Sequence, residues 1–317
     1  MKTITAQEHN LILDVTGEGL TPLPAAALEK DLLVTEILQR IQPLDTGEIK
    51  LVFCGGTALS KAHGLIERMS EDIDFKVIVP EGLSRSARSK QLSQLKNQLA
   101  DFLLQEGYTL PDESPLARDE NNYVSYSIRY ASCFSSVASL RPEIKVELSA
   151  RASLLPLENL PVQSILCALV DGNAPGVLIT CQSVQESLGE KVLSFLRRTA
   201  EAMAGRNRAA YDDRLIRHIY DVSVIYRQSL YPLSELTGSV FQNMVAADAL
   251  RFSRQYPEFR INPREEMQKA LDRLKSNEEL AEQYKRFVDE LVYGNPVPFN
   301  VAQHDFIRLA EQLLSSI

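Results

Sequence analysis

Between residues 53 and 75 the chain reads Phe-Cys-Gly-Gly-Thr-Ala-Leu-Ser-Lys-Ala-His-Gly-Leu-Ile-Glu-Arg-Met-Ser-Glu-Asp-Ile-Asp-Phe, and no other stretch restricts the fold as strongly. An apolar run over residues 51–54 predicts a strand that ends at Gly55-Gly56. A helical pattern follows over residues 57–69, with Ala58, Leu59, Ala62, Leu65 and Ile66 on its buried face. Ser70 opens a second extended run that carries Asp72 and Asp74. Strand residues two apart point to the same side, so both aspartates face one way and Ile73, Phe75 and Val77 the other. Two carboxylates on one strand are a way to hold Mg²⁺, a hard cation that takes oxygen ligands. A glycine turn that opens a helix brings backbone N–H groups to a phosphate. A phosphate cradle ahead of metal carboxylates points to nucleotide chemistry.

The bulk properties bound what surrounds this motif. A length of 317 residues fits one large domain or two, and 44% hydrophobic with 24% charged residues is ordinary for a soluble globular protein. Lys plus Arg is 34 and Asp plus Glu is 42, a net charge of −8. A general nucleic-acid binder is usually basic, so the chain lacks a global footprint for DNA or RNA. A local one is confined to Arg197, Arg198, Arg206, Arg208, Arg214 and Arg217, which fit a solvated helix face as well as a substrate patch. No segment approaches the roughly 18 apolar residues of a membrane helix. The N-terminus, Met-Lys-Thr-Ile-Thr-Ala-Gln-Glu-His, has no apolar signal core. Cys54, Cys133, Cys167 and Cys181 form no Cys-x-x-Cys pair and read as reduced and structural, and the four histidines show no zinc-ligand spacing. These features together predict a cytoplasmic protein with no membrane partner.

Along the chain, residues 22–41 predict a helix, 50–54 and 72–79 two strands, 84–106 a long helix, and 123–130 and 143–149 two alternating, half-buried strands. Residues 132–139 read as a polar loop. After Leu155 the pattern turns mostly helical, and the composition shift near Pro156 and Pro161 predicts a domain boundary. On the strand at 143–149, Ile144, Val146 and Leu148 face one side and Lys145, Glu147 and Ser149 the other. By itself Glu147 reads as a surface glutamate paired with Lys145 or Arg129. Arg68 is at the end of the predicted helix, where it would either complement the helix dipole or orient an aspartate or a phosphate. Ser70 caps the loop or binds phosphate. Lys61 and His63 read as helix surface. Tyr123, Tyr126 and Tyr130 fit packing, or stacking on a base.

Gly55-Gly56-Thr57-Ala-Leu followed by Arg68-Met-Ser70-Glu-Asp72-Ile-Asp74-Phe resembles the AbiEii-type nucleotidyltransferases. These are the toxin halves of type IV toxin–antitoxin and abortive-infection systems, within the polymerase-beta-like nucleotidyltransferase superfamily. The resemblance covers about residues 25–226. Glu29-Lys30-Asp31, Glu190-Lys191 and Arg217-His218-Ile-Tyr-Asp221 also match in order. It implies an α/β domain over residues 1–155, a small mixed sheet with flanking helices, then a helical domain over residues 156–317 that closes a nucleotide cleft.

The resemblance also implies roles. Asp72 and Asp74 would ligate Mg²⁺, with Glu147 as the third carboxylate from a neighbouring strand. Aspartate is the commoner residue at that third position. Gly55, Gly56 and Thr57, with Arg68 and Ser70, would hold the phosphates of an NTP. Lys191 and Asp221 would belong to the active site. On spacing alone, that pair reads equally as an ion pair between packed helices. The implied reaction is transfer of NMP from an NTP to an acceptor hydroxyl with release of pyrophosphate. The acceptor would be a tRNA 3′ end or a protein side chain, and a cognate antitoxin would be the partner. A small-molecule-modifying enzyme and a non-catalytic nucleotide-binding regulator with the same fold are the alternatives. Loss of Asp72, Asp74 or the glycine turn would mark the regulator, and all are present.

Overall fold

The strand that carries Asp72 and Asp74 lies inside a mixed sheet, flanked on both sides by other strands. The structure, a computed structural model, describes residues 1–135, 140–172, 176–207, 211–228, 233–276 and 279–317. Part of the predicted polar loop (136–139) and Arg208 of the arginine run lie outside the described residues. The described residues divide into two compact units, Met1–Gln182 and Ser183–Ile317.

The first unit opens with α1 (Ala6–Gly17), which sequence reading missed. Its start is a capping box: Thr5 accepts from the Glu8 N–H while the Glu8 carboxylate accepts from the Thr5 N–H. Next come α2 (Ala25–Ile41), β1 (Lys50–Cys54), α3 (Gly55–Lys61), β2 (Asp72–Ile78), α4 (Arg85–Gln105), β3 (Leu116–Arg118), β4 (Tyr123–Ile128), β5 (Ile144–Ala150), β6 (Glu158–Val162), α5 (Ile165–Val170) and β7 (Val177–Cys181). The strand order is β3-β4-β5-β2-β1-β7-β6. The β2–β5 and β1–β7 pairs are parallel and the rest antiparallel. Alternation along β2 and β5 buries Ile73, Phe75, Val77, Ile144, Val146 and Leu148 in the core, as their period-2 pattern predicts. The predicted α/β architecture with a mixed sheet and flanking helices is therefore present.

Two expectations need correction. The helix after the glycines ends at Lys61, not at residue 69. Gly64 follows with a φ of 63°, and residues 65–71 continue as an irregular segment that still buries Leu65 and Ile66. Arg68 is therefore not at a helix C-terminus. The composition shift near residue 155 also does not end the sheet, because β6 and β7 lie beyond it. Pro161 looked like a linker residue, but it sits on an edge strand, where a missing N–H is tolerated.

The second unit is helical: α6 (Val184–Met203), a 3₁₀ turn (Asp213–Leu215), α7 (Ile216–Arg227), α8 (Ser239–Arg251), α9 (Pro257–Ile261), α10 (Pro263–Ser276), α11 (Glu279–Leu291) and α12 (Phe299–Ser315). Within it α12 packs on α7 and α10 on α6. Phe195 meets Phe306 edge-on at 4.9 Å between ring centroids.

Candidate active site

The glycine turn is built around the side chains that follow it. Gly55 has a φ of 77°, and a Cβ there would lie 2.3 Å from Asp74 Oδ2. Only glycine satisfies both the backbone conformation and the close approach of the carboxylate. A Cβ on Gly56 would lie 2.6 Å from Arg68 Nη2 and 3.1 Å from Ser70 Oγ. The Arg68 guanidinium is thus packed against the turn, and its Nη1 donates to the Met69 carbonyl at 3.0 Å. Thr57 Oγ1 donates to the Asp72 carbonyl and shares a hydrogen bond with Ser70 Oγ at 2.9 Å. Thr57 and Ser70 therefore brace the turn against the start of β2.

The sheet register brings the third carboxylate to the second aspartate. Asp74 is directly opposite Glu147 on parallel β5 and opposite Cys54 on β1. In-register residues of neighbouring strands share a face, so Asp72, Asp74 and Glu147 lie on one surface. Two cations lie on it as well. Arg141 Nη1 is 3.0 Å from Asp72 Oδ1, and Lys145 contacts Glu147 Oε1. Tyr123 donates to the same Glu147 oxygen at 2.5 Å, so this tyrosine holds a carboxylate. Tyr126 instead points into the core and donates to the Lys96 carbonyl. Burial pushes the Asp72 carboxyl above its ordinary value, partly offset by Arg141. Burial also pushes Glu147 up, but Lys145, the Tyr123 hydroxyl and Arg141 outweigh it and hold the carboxyl below its ordinary value.

The donor set suits a hard cation in kind: three carboxylates on one face, with Gly55 leaving room for Asp74 and no more. Among the described residues, no three acidic, His or Cys side chains converge into a ready-made metal cluster. Asp72 and Glu147 are turned to Arg141 and Lys145.

Residues that the sequence offered only as a matching motif or as helix surface, with Glu71 and Arg141, which it did not offer, support this face. Glu29, Lys30 and Asp31 are buried side by side on α2, and each holds a different part of the chain. Glu29 accepts from Ser132 Oγ and the Cys133 N–H. Lys30 pairs with Glu71 at 2.7 Å and donates to the Arg141 carbonyl at 2.6 Å, while the Arg141 N–H donates to Glu71 at 2.9 Å. Asp31 pairs with Lys61 at 2.5 Å and accepts from the Ile165 N–H. Lys61 is therefore a buried partner, not helix surface. His63 bonds the Gln182 carbonyl at 2.9 Å, and burial holds its pKa low.

In the second unit, Lys191 on α6 pairs with Asp221 on α7 at 2.7 Å, and the carboxylate has no exposed surface. His218 Nδ1 lies 3.1 Å from the Lys191 carbonyl. Burial first, and the Lys191 charge second, push the His218 imidazole down to about 3 from 6.5. Below pH 6.5 the unfolded chain binds a proton there that the folded protein refuses, so stability falls as pH drops through that window. Urea unfolding from about pH 7 to about pH 5 should show a shallower loss for His218→Asn than for the wild type. Equal slopes would remove His218 from the account. The arginine run does not form one basic face. Arg197 is buried between Glu201 and Asp248 and over the Phe252 ring, Arg198 pairs with Asp212, and Arg206 pairs with Glu258.

A glycine turn on an Asp-x-Asp strand, in a mixed sheet that sets a glutamate beside the second aspartate, describes a nucleotidyltransferase. The family model for the nucleotidyl transferase AbiEii toxin of type IV toxin–antitoxin systems matches residues 36–310, and the chain belongs to this family. The fold is similar to that of MenT4, a nucleotidyltransferase toxin from Mycobacterium tuberculosis H37Rv, with a TM-score of 0.56 and 16% identity over 98% of this chain and 90% of that one. No curated protein sequence matches the chain. Among the described residues, no helix is long and apolar enough to cross a membrane.

Proposed function

We propose that the protein transfers NMP from an NTP to the 3′-terminal hydroxyl of tRNA, with Mg²⁺ bound by Asp72, Asp74 and Glu147. The observation that carries this reading is the packing of Gly55 against Asp74, with Glu147 opposite Asp74 in register. The acceptor oxygen attacks the α-phosphorus, the bond to the α–β bridging oxygen breaks, and pyrophosphate leaves. Mg²⁺ supplies charge neutralisation on the phosphates when bound. The backbone N–H groups of residues 55–57 and the Arg68 guanidinium hold the leaving phosphates, with Ser70 bracing them through Thr57. Glu147, opposite Asp74 in register, helps to take the proton of the acceptor hydroxyl. Lys191 and Asp221 belong to the active site, as the family resemblance implies; an ammonium can bind a triphosphate, and Asp221 holds the lysine in place.

The net charge of −8 does not decide against an RNA end, since the field at the site, not the total, governs association. The test incubates purified protein, Mg²⁺ and each labelled NTP in turn with total tRNA and with lysate protein. Label on tRNA is the expected result. Label on protein alone would move the acceptor to a side chain, and label on neither with every NTP would overturn the reading.

A further inference from the structure

We infer that Arg141 and Lys145 are exchangeable counter-ions of the carboxylate face. In the nucleotide-free protein they hold Asp72 and Glu147. When a divalent cation takes these carboxylates, both side chains turn to the polyphosphate of the incoming nucleotide. The inference rests on the metal reading above and adds to it two nucleotide-binding residues and an order of events.

Charge is the first support. Asp72, Asp74 and Glu147 carry a formal −3, and Arg141 and Lys145 offset two of these charges, which leaves −1 on these five side chains. A dication is poorly matched to −1 and well matched to −3. The placement of the side chains agrees. Among the described residues no ready-made metal cluster forms, although three carboxylates share one face, and two of the three are drawn to these cations.

Mobility is the second support. Arg141 is tied down by its main chain, through its N–H to Glu71 and its carbonyl to Lys30. Lys145 is fixed in β5 opposite Asp72. Their side chains keep 16% and 28% of their surface open to solvent, unlike that of Lys30, which keeps none. The backbone is held and the charged ends have room to swing. Chemistry is the third. A guanidinium fork and an ammonium are phosphate ligands as readily as carboxylate ligands. The two cations therefore lose nothing in kind when they exchange one anion for the other.

Two dissociation constants test this with opposite signs. The first is for Mn²⁺ alone, by calorimetry, on the wild type, Lys145→Ala and Arg141→Ala. The second is for the α,β-methylene analogue of each NTP on the Mn²⁺-saturated proteins. Each variant should bind Mn²⁺ about tenfold tighter or more, because a competing cation is gone. Each should then bind the analogue about tenfold weaker or more, because a phosphate ligand is gone. Arg141→Ala keeps both main-chain bonds to Glu71 and Lys30, and Lys145→Gln repeats the second test with the stem retained. Static structural pairs would leave both constants unchanged or weaken both, and either result overturns the inference. If Mn²⁺ binds the wild type and is lost in Asp74→Ala while the cation variants behave as wild type, only the exchange fails. If the wild type binds no Mn²⁺, the metal reading fails and the exchange with it.

Discussion

Asp74→Ala should abolish nucleotide transfer while the protein stays folded. Asp74 is in the middle of the site: opposite Glu147 on one side, in line with Cys54 on the other, and against the Cα of Gly55. Removing one carboxylate from a set that neutralises phosphate charge costs several kcal/mol of transition-state stabilisation, or about three powers of ten in rate. Truncation at this half-buried position opens space and adds no clash, so the melting temperature should hardly move. Initial rates with labelled NTP, together with thermal unfolding, decide the matter. Wild-type turnover in the variant would remove Asp74 from the chemistry. In cells, expression of the wild type should slow growth and the variant should not. Equal slowing by both would sever toxicity from this site.

The second large effect concerns Lys191 and Asp221. Their 2.7 Å pair is buried between α6 and α7, so Lys191→Ala alone should destabilise the protein by about 3–5 kcal/mol, whatever else it does. The informative variant replaces both partners, Lys191→Met with Asp221→Leu. Exchange of a buried ion pair for apolar residues of similar volume is often neutral or stabilising. Urea unfolding should therefore recover most of the loss seen in the single variant. If the pair serves the reaction, transfer should remain lost in the stable double variant. Recovery of transfer along with stability would make the pair structural only.

What could be read from the sequence followed from period and local chemistry. The shared face of Asp72 and Asp74 came from alternation along β2, and the orientation of Glu147 from alternation along β5. Their adjacency needs the register between β2 and β5, strands far apart in the sequence, which no local pattern carries. The helix after the glycines was drawn too long because Leu65 and Ile66 keep helical spacing and are buried, though in a loop that Gly64 sets off. Strand β6 was hidden by Pro161, which is a strand breaker anywhere but at an edge. Arg141, Glu71, Lys61 and Tyr123 gained their parts from tertiary pairing alone. The capping box at Thr5 and Glu8 was legible and would have placed α1.

Three consecutive buried residues cannot share one face of a helix, since successive side chains are about 100° apart. Glu29, Lys30 and Asp31 are all buried and hold the chain at Cys133, Arg141, Ile165, Lys61 and Glu71, so at these residues α2 acts as a peg gripped on more than one face. The entry to β2, the end of α3 and the approach to β5 share that peg. Loosening any one of them breaks a buried polar contact to α2, which disfavours local opening of these segments. Fluctuations at the carboxylate face are thereby confined to side-chain rotamers, which interconvert in picoseconds to nanoseconds when exposed. Reorganisation there would be fast compared with a typical turnover, and ligand binding should raise amide-exchange protection across β2 and β5 only by as much as it raises global stability.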